Sequence, residues 1–292
     1  VTAIPTEQFD RVLMGEDAAL SFAPASADGD ALTLLAPATV ALSDGAGVDI
    51  PLSPNAATIA TDKHSLSFTI PAGSLPLLDT YTVTWTATVG EAACSWQTSL
   101  DVCGGHIFSI AQFRASKKEF AAKTAATVRS VRTAAEVAFE KECGVAFVPR
   151  GAREQIRGDD TDTLLLSHVA LRDIYSLSVD GTAWTPDEIA VLVREEPGIV
   201  TRTDGLVWTA GSLIVVHYTH GYDRPPVPVR DAVLILAQDR AIPDSRIPSR
   251  AVLQATEFGN FRVSVPGRDG PFGIPEVDAR VYTYGRPRPA VG

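Results

Sequence analysis

Few side chains in this chain have types and spacings that suit chemistry. His217 and His220, in His-Tyr-Thr-His, are the closest pair of histidines, and paired imidazoles are a common start to a zinc site. An offset of three, however, points them to opposite faces of a strand, so joint ligation requires the strand to end between them. Structural histidines are the better reading. Asp159, Asp160 and Asp162 follow Gly158 and offer oxygen ligands for a divalent cation. They lack the glycine and distal glutamate of a calcium loop, which favours a solvated loop. Cys94, Cys103 and Cys143 are an odd number without metal spacing, and no Cys94–Cys103 disulfide is expected in a protein made in a cytoplasm. The chain contains no Gly-x-Ser-x-Gly elbow and no His-Glu-x-x-His. The run from Gly267 to Gly273 holds three glycines, but a proline interrupts it and it opens no helix, so it reads as a loop and not a phosphate cradle. The expectation is therefore no metal, no cofactor and no catalytic residue. A hydrolase with a constellation assembled across domains remains an alternative.

The composition sets what must position any site. With 292 residues, 45% hydrophobic and 21% charged, the chain is globular and long enough for two domains. No apolar run approaches the ~18 residues of a membrane span, and the start VTAIPTEQFDRVL has neither a basic segment nor an apolar h-region. The expectation is a soluble protein made in a cytoplasm, with no membrane partner. The net charge of −10 is unevenly placed: residues 1–105 hold two basic side chains, Arg11 and Lys63, against twelve acidic ones, while residues 106–292 hold twenty-three of each sign. The first part repels nucleic acid and the second has no net attraction to it, which argues against sequence-specific DNA reading. A channel through which DNA slides stays compatible.

Residues 1–105 predict an all-β sandwich. Short alternating segments such as HSLSFTI and TYTVTWTATV are separated by turn clusters, and Tyr81, Val83 and Trp85 share one strand face as core. About a hundred residues and roughly seven strands resemble an immunoglobulin-like domain, although no Cys-Trp-Cys framework is present. Residues 106–292 predict an α+β domain. Its longest element is a helix over about 116–143, with a break near Lys123 or Thr124 possible, and Gly144 as its left-handed C-terminal residue. Val128, Val131, Ala135, Phe139 and Cys143 form a narrow, alanine-rich stripe suited to packing on another helix or subunit. Arg132, Glu136 and Glu140 are placed on the outward face. An antiparallel β region over 161–220 follows, with Asp180-Gly181 and Asp204-Gly205 as two-residue hairpin turns. A second helix over 229–242 has Val229, Val233, Leu236 and Ala237 inward and is stopped by Pro243. The tail over 251–292 reads as extended, with strand-like pieces AVLQATE, FRVSV and ARVYTY and an Arg-Pro-Arg-Pro end.

Arg129 and Arg132, with Val128, Val131 and Ala135, are candidates for a channel or subunit interface. A solvated helix face is the plainer reading. Tyr282, Tyr284, Arg286 and Arg288 are candidates for a partner-binding tail, because aromatic and arginine side chains dominate such contacts. Tyr282 and Tyr284 share a face if this piece is a strand, and core packing is then as good a reading.

Four segments, taken in order, resemble the head-tail connector, or adaptor, proteins of long-tailed bacteriophages. The first holds Ala135, Phe139, Glu140, Cys143, Gly144, Phe147, Val148, Pro149 and Arg150; the second Val179, Asp180 and Gly181. The third holds Val216, Tyr218, His220, Gly221, Pro226, Val229 and Ala232, and the fourth Pro275, Glu276, Val277, Asp278 and Tyr284. The resemblance implies a structural virion protein, not an enzyme, that forms a homo-oligomeric ring, commonly a dodecamer, at the head-tail junction. Such a ring extends the portal channel, passes double-stranded DNA without reading it, and binds the portal protein and the next neck or stopper protein. The first 105 residues lie outside the resemblance and read as a decoration whose removal leaves the ring intact. A tail-tip or baseplate protein with an immunoglobulin-like receptor-binding domain is a further alternative. It requires exposed aromatic loops, whereas these loops are Ala, Ser, Asp and Gly.

Overall fold

The computed structural model describes residues 4–26, 28–195, 198–241, 253–256, 259–262, 267 and 270–286. The chain begins with eight strands: β1 (Ile4–Leu13), β2 (Ala18–Phe22), β3 (Leu34–Ser43), β4 (Asp49–Ile50), β5 (Thr58–Ile59), β6 (Leu66–Ile70), β7 (Thr80–Val89) and β8 (Ala92–Cys103). They make two sheets, ordered β1-β8-β7-β3-β4 and β2-β6-β5. Strict alternation drives this, since every second residue of β7 (Tyr81, Val83, Trp85, Ala87) and of β2 (Ala18, Leu20, Phe22) is buried. Phe22 packs 5.8 Å from Trp85 and 5.9 Å from Trp96, and burying each such side chain contributes about 2–3 kcal/mol. The Trp85 indole N–H donates to Thr98 Oγ1 at 3.0 Å, so its burial leaves no unmet donor. β1, which pairs in parallel with β8, was not expected from IPTEQFDRVL, whose polar residues do not alternate.

Beyond Ser116, the helix expected over 116–143 is α-helical only from Ala125, with a 3₁₀ turn and a corner before it. α1 (Ile110–Ser116) opens on a capping box between Ser109 and Gln112, and a 3₁₀ turn at Lys118–Phe120 precedes α2 (Ala125–Cys143). The break falls near Lys123 because Thr124 caps α2 through Thr127 N, and Arg114 Nε and Nη2 donate to Lys123 O at 3.0 and 2.7 Å. Phe113 and Phe120, both buried, meet at 4.6 Å inside the corner. Gly144 ends α2 at φ 64. The assignment of Arg132 and Glu136 to the outward face is corrected: both are buried. Glu136 Oε1 accepts from Ile107 N at 2.7 Å, so this carboxylate holds the chain entering α1.

The β region starts earlier than 161. It comprises β9 (Arg150–Arg157), β10 (Thr163–Leu165), β11 (Leu171–Val179), β12 (Thr182–Ala183), the short helix α3 (Pro186–Ala190), β13 (Leu192–Glu195), β14 (Ile199–Arg202) and β15 (Leu213–His220). Two sheets result, β12-β11-β15-β9 and β10-β14-β13. The polar sequence of β9, RGAREQIR, shows no apolar face because it is an edge strand whose partners lie elsewhere in the chain. Asp180 and Gly181 turn β11 into β12 with φ 49 and 79, the left-handed pair of a type I′ turn. Asp204-Gly205 makes no hairpin, since β14 ends at Arg202 and β15 starts at Leu213. Here Trp208, buried against Trp184 at 5.2 Å, draws the chain inward, and Arg202 covers both rings at 4.9 Å.

α4 (Val227–Ala241) buries Val229, Ala232, Val233, Leu236 and Ala237 and packs on α2. The residue expected to stop it, Pro243, lies outside the described residues. A hairpin follows, β16 (Leu253–Thr256) with β17 (Gly259–Arg262). The tail is not extended throughout, because ARVYTY belongs to α5 (Pro275–Tyr284). Pro275 at its first turn, Glu276 and Asp278 beside the helix N-terminus, and Val277 and Val281 four apart outweigh the β preference of Val-Tyr-Thr-Tyr.

The chain divides into two compact units, and each is discontinuous. The first joins residues 1–105 with 149–220, and the second joins 106–148 with 221–292. In the first unit, ion pairs tie the sandwich to the β region: Asp101 meets Arg11 at 2.8 Å and Arg150 at 3.3 Å, and Arg153 meets Asp44 at 3.0 Å and Asp79 at 3.3 Å. At Gly151 a Cβ would sit 1.7 Å from Leu78 O, so only glycine allows this approach. The sandwich and the β region thus pack as one unit.

Candidate functional site

The two histidines of His-Tyr-Thr-His occupy opposite faces of β15. His217 faces the sandwich, with Nε2 3.3 Å from Leu78 O and 3.8 Å from Asp79 Oδ2. Burial pushes its pKa down while Asp79 pulls it back up. On the other face His220 stacks on His168 at 3.9 Å, and His168 Nδ1 lies 2.7 Å from the Tyr218 hydroxyl. Tyr218 in turn donates to Glu154, which also accepts from Ser167 N and Oγ. Burial lowers the His220 pKa to about 3, helped by His168 and Arg150. Burial alone would raise Glu154, but the hydrogen bonds from Tyr218 and Ser167 outweigh it and hold the carboxylate low. This Glu-Tyr-His-His group spans three sheet segments, and no sequence spacing pointed to it. Tyr218 and His220 are its buried members, while Glu154 and His168 are part-exposed and Ser167 is exposed.

The other chemical candidates are engaged in local structure. Asp159 Oδ1 accepts from Thr161 N and Oγ1, and Asp160 Oδ1 from Ala210 N, so these carboxylates brace a loop. Asp204 is gripped by Arg202 through two hydrogen bonds at 3.0 and 2.6 Å, which lowers its pKa to about 2. None of the three cysteines forms a disulfide, and Cys103 Sγ donates to Val12 O. Among the described residues no group of three or more His, Cys, Asp or Glu is placed to hold a metal ion. No described helix is long and apolar enough to cross a membrane.

The candidates on α2 separate. Arg129 is exposed, Val131 half-buried, and Val128 and Ala135 are buried within the helical unit. Arg132 turns inward, and its Nη1 lies 3.4 Å from Phe108 O. The tail candidates separate too: Tyr282 is 72% exposed, whereas Tyr284 packs edge-on against Phe147 at 6.2 Å. Arg286 is exposed with its N–H bonded to Cys143 O at 2.8 Å, and Arg288 lies outside the described residues. A groove of ≈ 590 Å³ runs between the first turns of α4 and α5, floored by Ala232, Ile235 and Ala279 and edged by Asp231, Glu276 and Arg280.

Residues remote in sequence meet in the second unit. Phe147 lies 5.7 Å from Phe139, 5.9 Å from Tyr222 and 6.2 Å from Tyr284, so α2, the segment leading into α4 and the end of α5 close on one ring. Glu140 Oε1 accepts from Phe147 N at 3.0 Å, fixing the turn after α2. Gly221, at φ 96, passes so close that a Cβ would lie 2.3 Å from Val148 O. Asp278 is buried and accepts from Phe272 N at 2.9 Å. These groups hold the second unit's segments together around the Phe147 ring.

No protein-family model matches this chain, and no curated protein matches it. Among solved structures it is similar to a chain in the neck of an empty gene transfer agent particle, with a TM-score of 0.44 and 18% identity over 64% of this chain and 93% of that one. A chain from the virion of the native gene transfer agent particle gives a TM-score of 0.44 and 17% identity at the same coverage. A titin M4 domain matches 33% of this chain and 91% of its own, with a TM-score of 0.21 and 19% identity. At these TM-scores the likenesses are partial, and none of them carries an assignment.

Proposed function

We propose that this chain is a structural protein of a phage-like virion that assembles with copies of itself at the head-tail junction. In that place it extends the portal channel and joins the DNA-filled head to the neck, without catalysis and without reading DNA sequence. The observation that carries the reading is the closure of three of the four connector-like segments on one another. Phe139, Glu140, Cys143, Gly144 and Phe147 from the first, Gly221 from the third and Asp278 and Tyr284 from the fourth all lie in the second unit. Most are bonded or in ring contact across that unit. Their roles there are architectural: a left-handed helix end, a forced glycine, a buried cap and an aromatic cluster. The second segment supplies the Asp180-Gly181 turn of the first unit.

Within the first unit, Asp101 is paired with Arg11 and Arg150, and Arg153 with Asp44 and Asp79, so these charges brace the fold. Arg129, Tyr282 and Arg286 are then the candidate side chains that remain outward for contact with other copies or neck proteins. Mass spectrometry of purified particles tests the reading: the chain should be present at a fixed ratio to the portal protein, and particles lacking it should release packaged DNA and fail to join tails. Absence from particles, or normal tail joining without the chain, sinks it.

A further inference from the structure

The two units carry opposite net charge. The first holds 8 basic and 23 acidic side chains, and the second 17 basic and 12 acidic. Part of each excess lies on one exposed patch. On the second unit, the corner between α1 and α2 presents Lys117, Lys118 and Arg129 as exposed residues and Lys123 as half-buried, against one carboxylate, Glu119. The corner is rigid, because Arg114 holds Lys123 O and Phe113 packs on Phe120 beneath it. Lys117 Nζ also sits 5.7 Å from the Phe120 ring centre, which anchors that cation near the surface.

On the first unit, one end of the sandwich holds Asp44, Asp79 and Asp101, each paired with Arg11, Arg150 or Arg153, beside exposed Glu16, Asp17 and Asp49. The other end gathers the turns that carry Asp28 and Asp30, Asp62, and Glu91, each exposed, with Lys63 as the cation among them. Strand register places these turns together: Leu34 pairs with Val89 at the top of β3 and β7, Leu34 N donates to Lys63 O at 2.8 Å, and His64 Nδ1 lies 3.0 Å from Leu32 O.

We propose that the basic corner is an assembly surface that receives the acidic outer end of the sandwich of a second copy. Head-to-tail association of identical chains requires two different, complementary patches on each chain. These two patches match in sign and in number of charges, with an excess of three cations against an excess of three carboxylates. The acidic end itself would repel a nucleic acid, which makes a protein partner the better match for the pair. Contacts of this exposed kind steer encounter and fix register, with a modest contribution from each pair. The proposal rests on the self-assembly reading above for its number of copies only.

The test uses the full chain in sedimentation at about 50 mM and about 500 mM salt, conditions that change the screening length severalfold. Lys117→Glu with Lys118→Glu and Arg129→Glu makes a corner-reversed variant, and Asp28→Lys with Asp30→Lys and Glu91→Lys an end-reversed one. All six sites are exposed, so folding is retained and checked by thermal melting. Expected results are self-association weakened about tenfold by high salt and by either variant alone, with association restored when the two variants are mixed. Oligomers that ignore salt and both variants overturn this proposal and leave self-assembly standing. A chain monomeric under every condition overturns both. Loss of binding to a short DNA duplex by the corner-reversed variant, with self-association unchanged, would assign the corner to nucleic acid instead.

Discussion

The first unit is joined by charge and the second by rings. Between the sandwich and β9, a carboxylate shared by Arg11 and Arg150, and an arginine shared by Asp44 and Asp79, link two β layers that have separate apolar cores. In the second unit, Phe139, Phe147, Tyr222 and Tyr284 close the ends of three segments without an ion pair among them. Charge joints depend on pH and on every partner being present. Ring joints depend on volume.

Removing volume from the second unit should give the largest effect. Phe139→Ala empties a fully buried site and should cost about 4 kcal/mol. Urea unfolding followed by hydrogen exchange should show α2 and α5 amides losing protection while β7 and β8 keep theirs. Equal loss in both units would erase the distinction. Asp101→Ala should cost about 3 kcal/mol, because Arg11 and Arg150 remain inside without the carboxylate they share. Its loss of protection should appear in β1, β8 and β9 and spare α2.

Acid should separate the units by a smaller amount. The folded state holds His220 neutral, with a pKa of about 3 against a free value near 6.5, because burial, His168 and Arg150 all oppose the charge. The unfolded chain therefore binds more protons between those values. Stability is complete above about pH 6.5 and falls by about 1.4 kcal/mol per pH unit below it, or roughly 2 kcal/mol by pH 5. His217, also lowered, acts in the same direction. Melting curves at the two pH values should show the first unit shifting and the second holding, with His220→Gln flattening the shift. The smallest effect is expected from Thr124→Ala, which removes the cap of α2 and should lower the stability of the second unit by about 1 kcal/mol in the same urea assay.

What could be read beforehand follows from how local each cause is. Tyr81, Val83 and Trp85 alternate along one strand, Gly144 sits where a helix must turn left-handed, and Asp180-Gly181 carries a turn by itself. Each cause lies within a few residues of its effect. By contrast, β9 is polar and becomes a strand only because β15, more than fifty residues later, supplies its hydrogen bonds. The inward turn of Arg132 and Glu136 depends on Phe108 and Ile107, more than twenty residues upstream. α5 carried its helix signals openly, in Pro275 and two early carboxylates, but Val-Tyr-Thr-Tyr has equal β preference and the helix is decided by packing on α4. The same holds for candidate sites. Arg129 stayed outward, as any exposed helical arginine would, while the Glu154, Tyr218, His168 and His220 network arises only from sheet register.

Electron cryo-microscopy of purified particles bears on the proposed ring at the head-tail junction without intermediate steps. Density for the second unit should repeat around the particle axis beneath the portal, with Arg129 on an intersubunit or channel face. Density elsewhere in the particle, or a single copy off the axis, would contradict it.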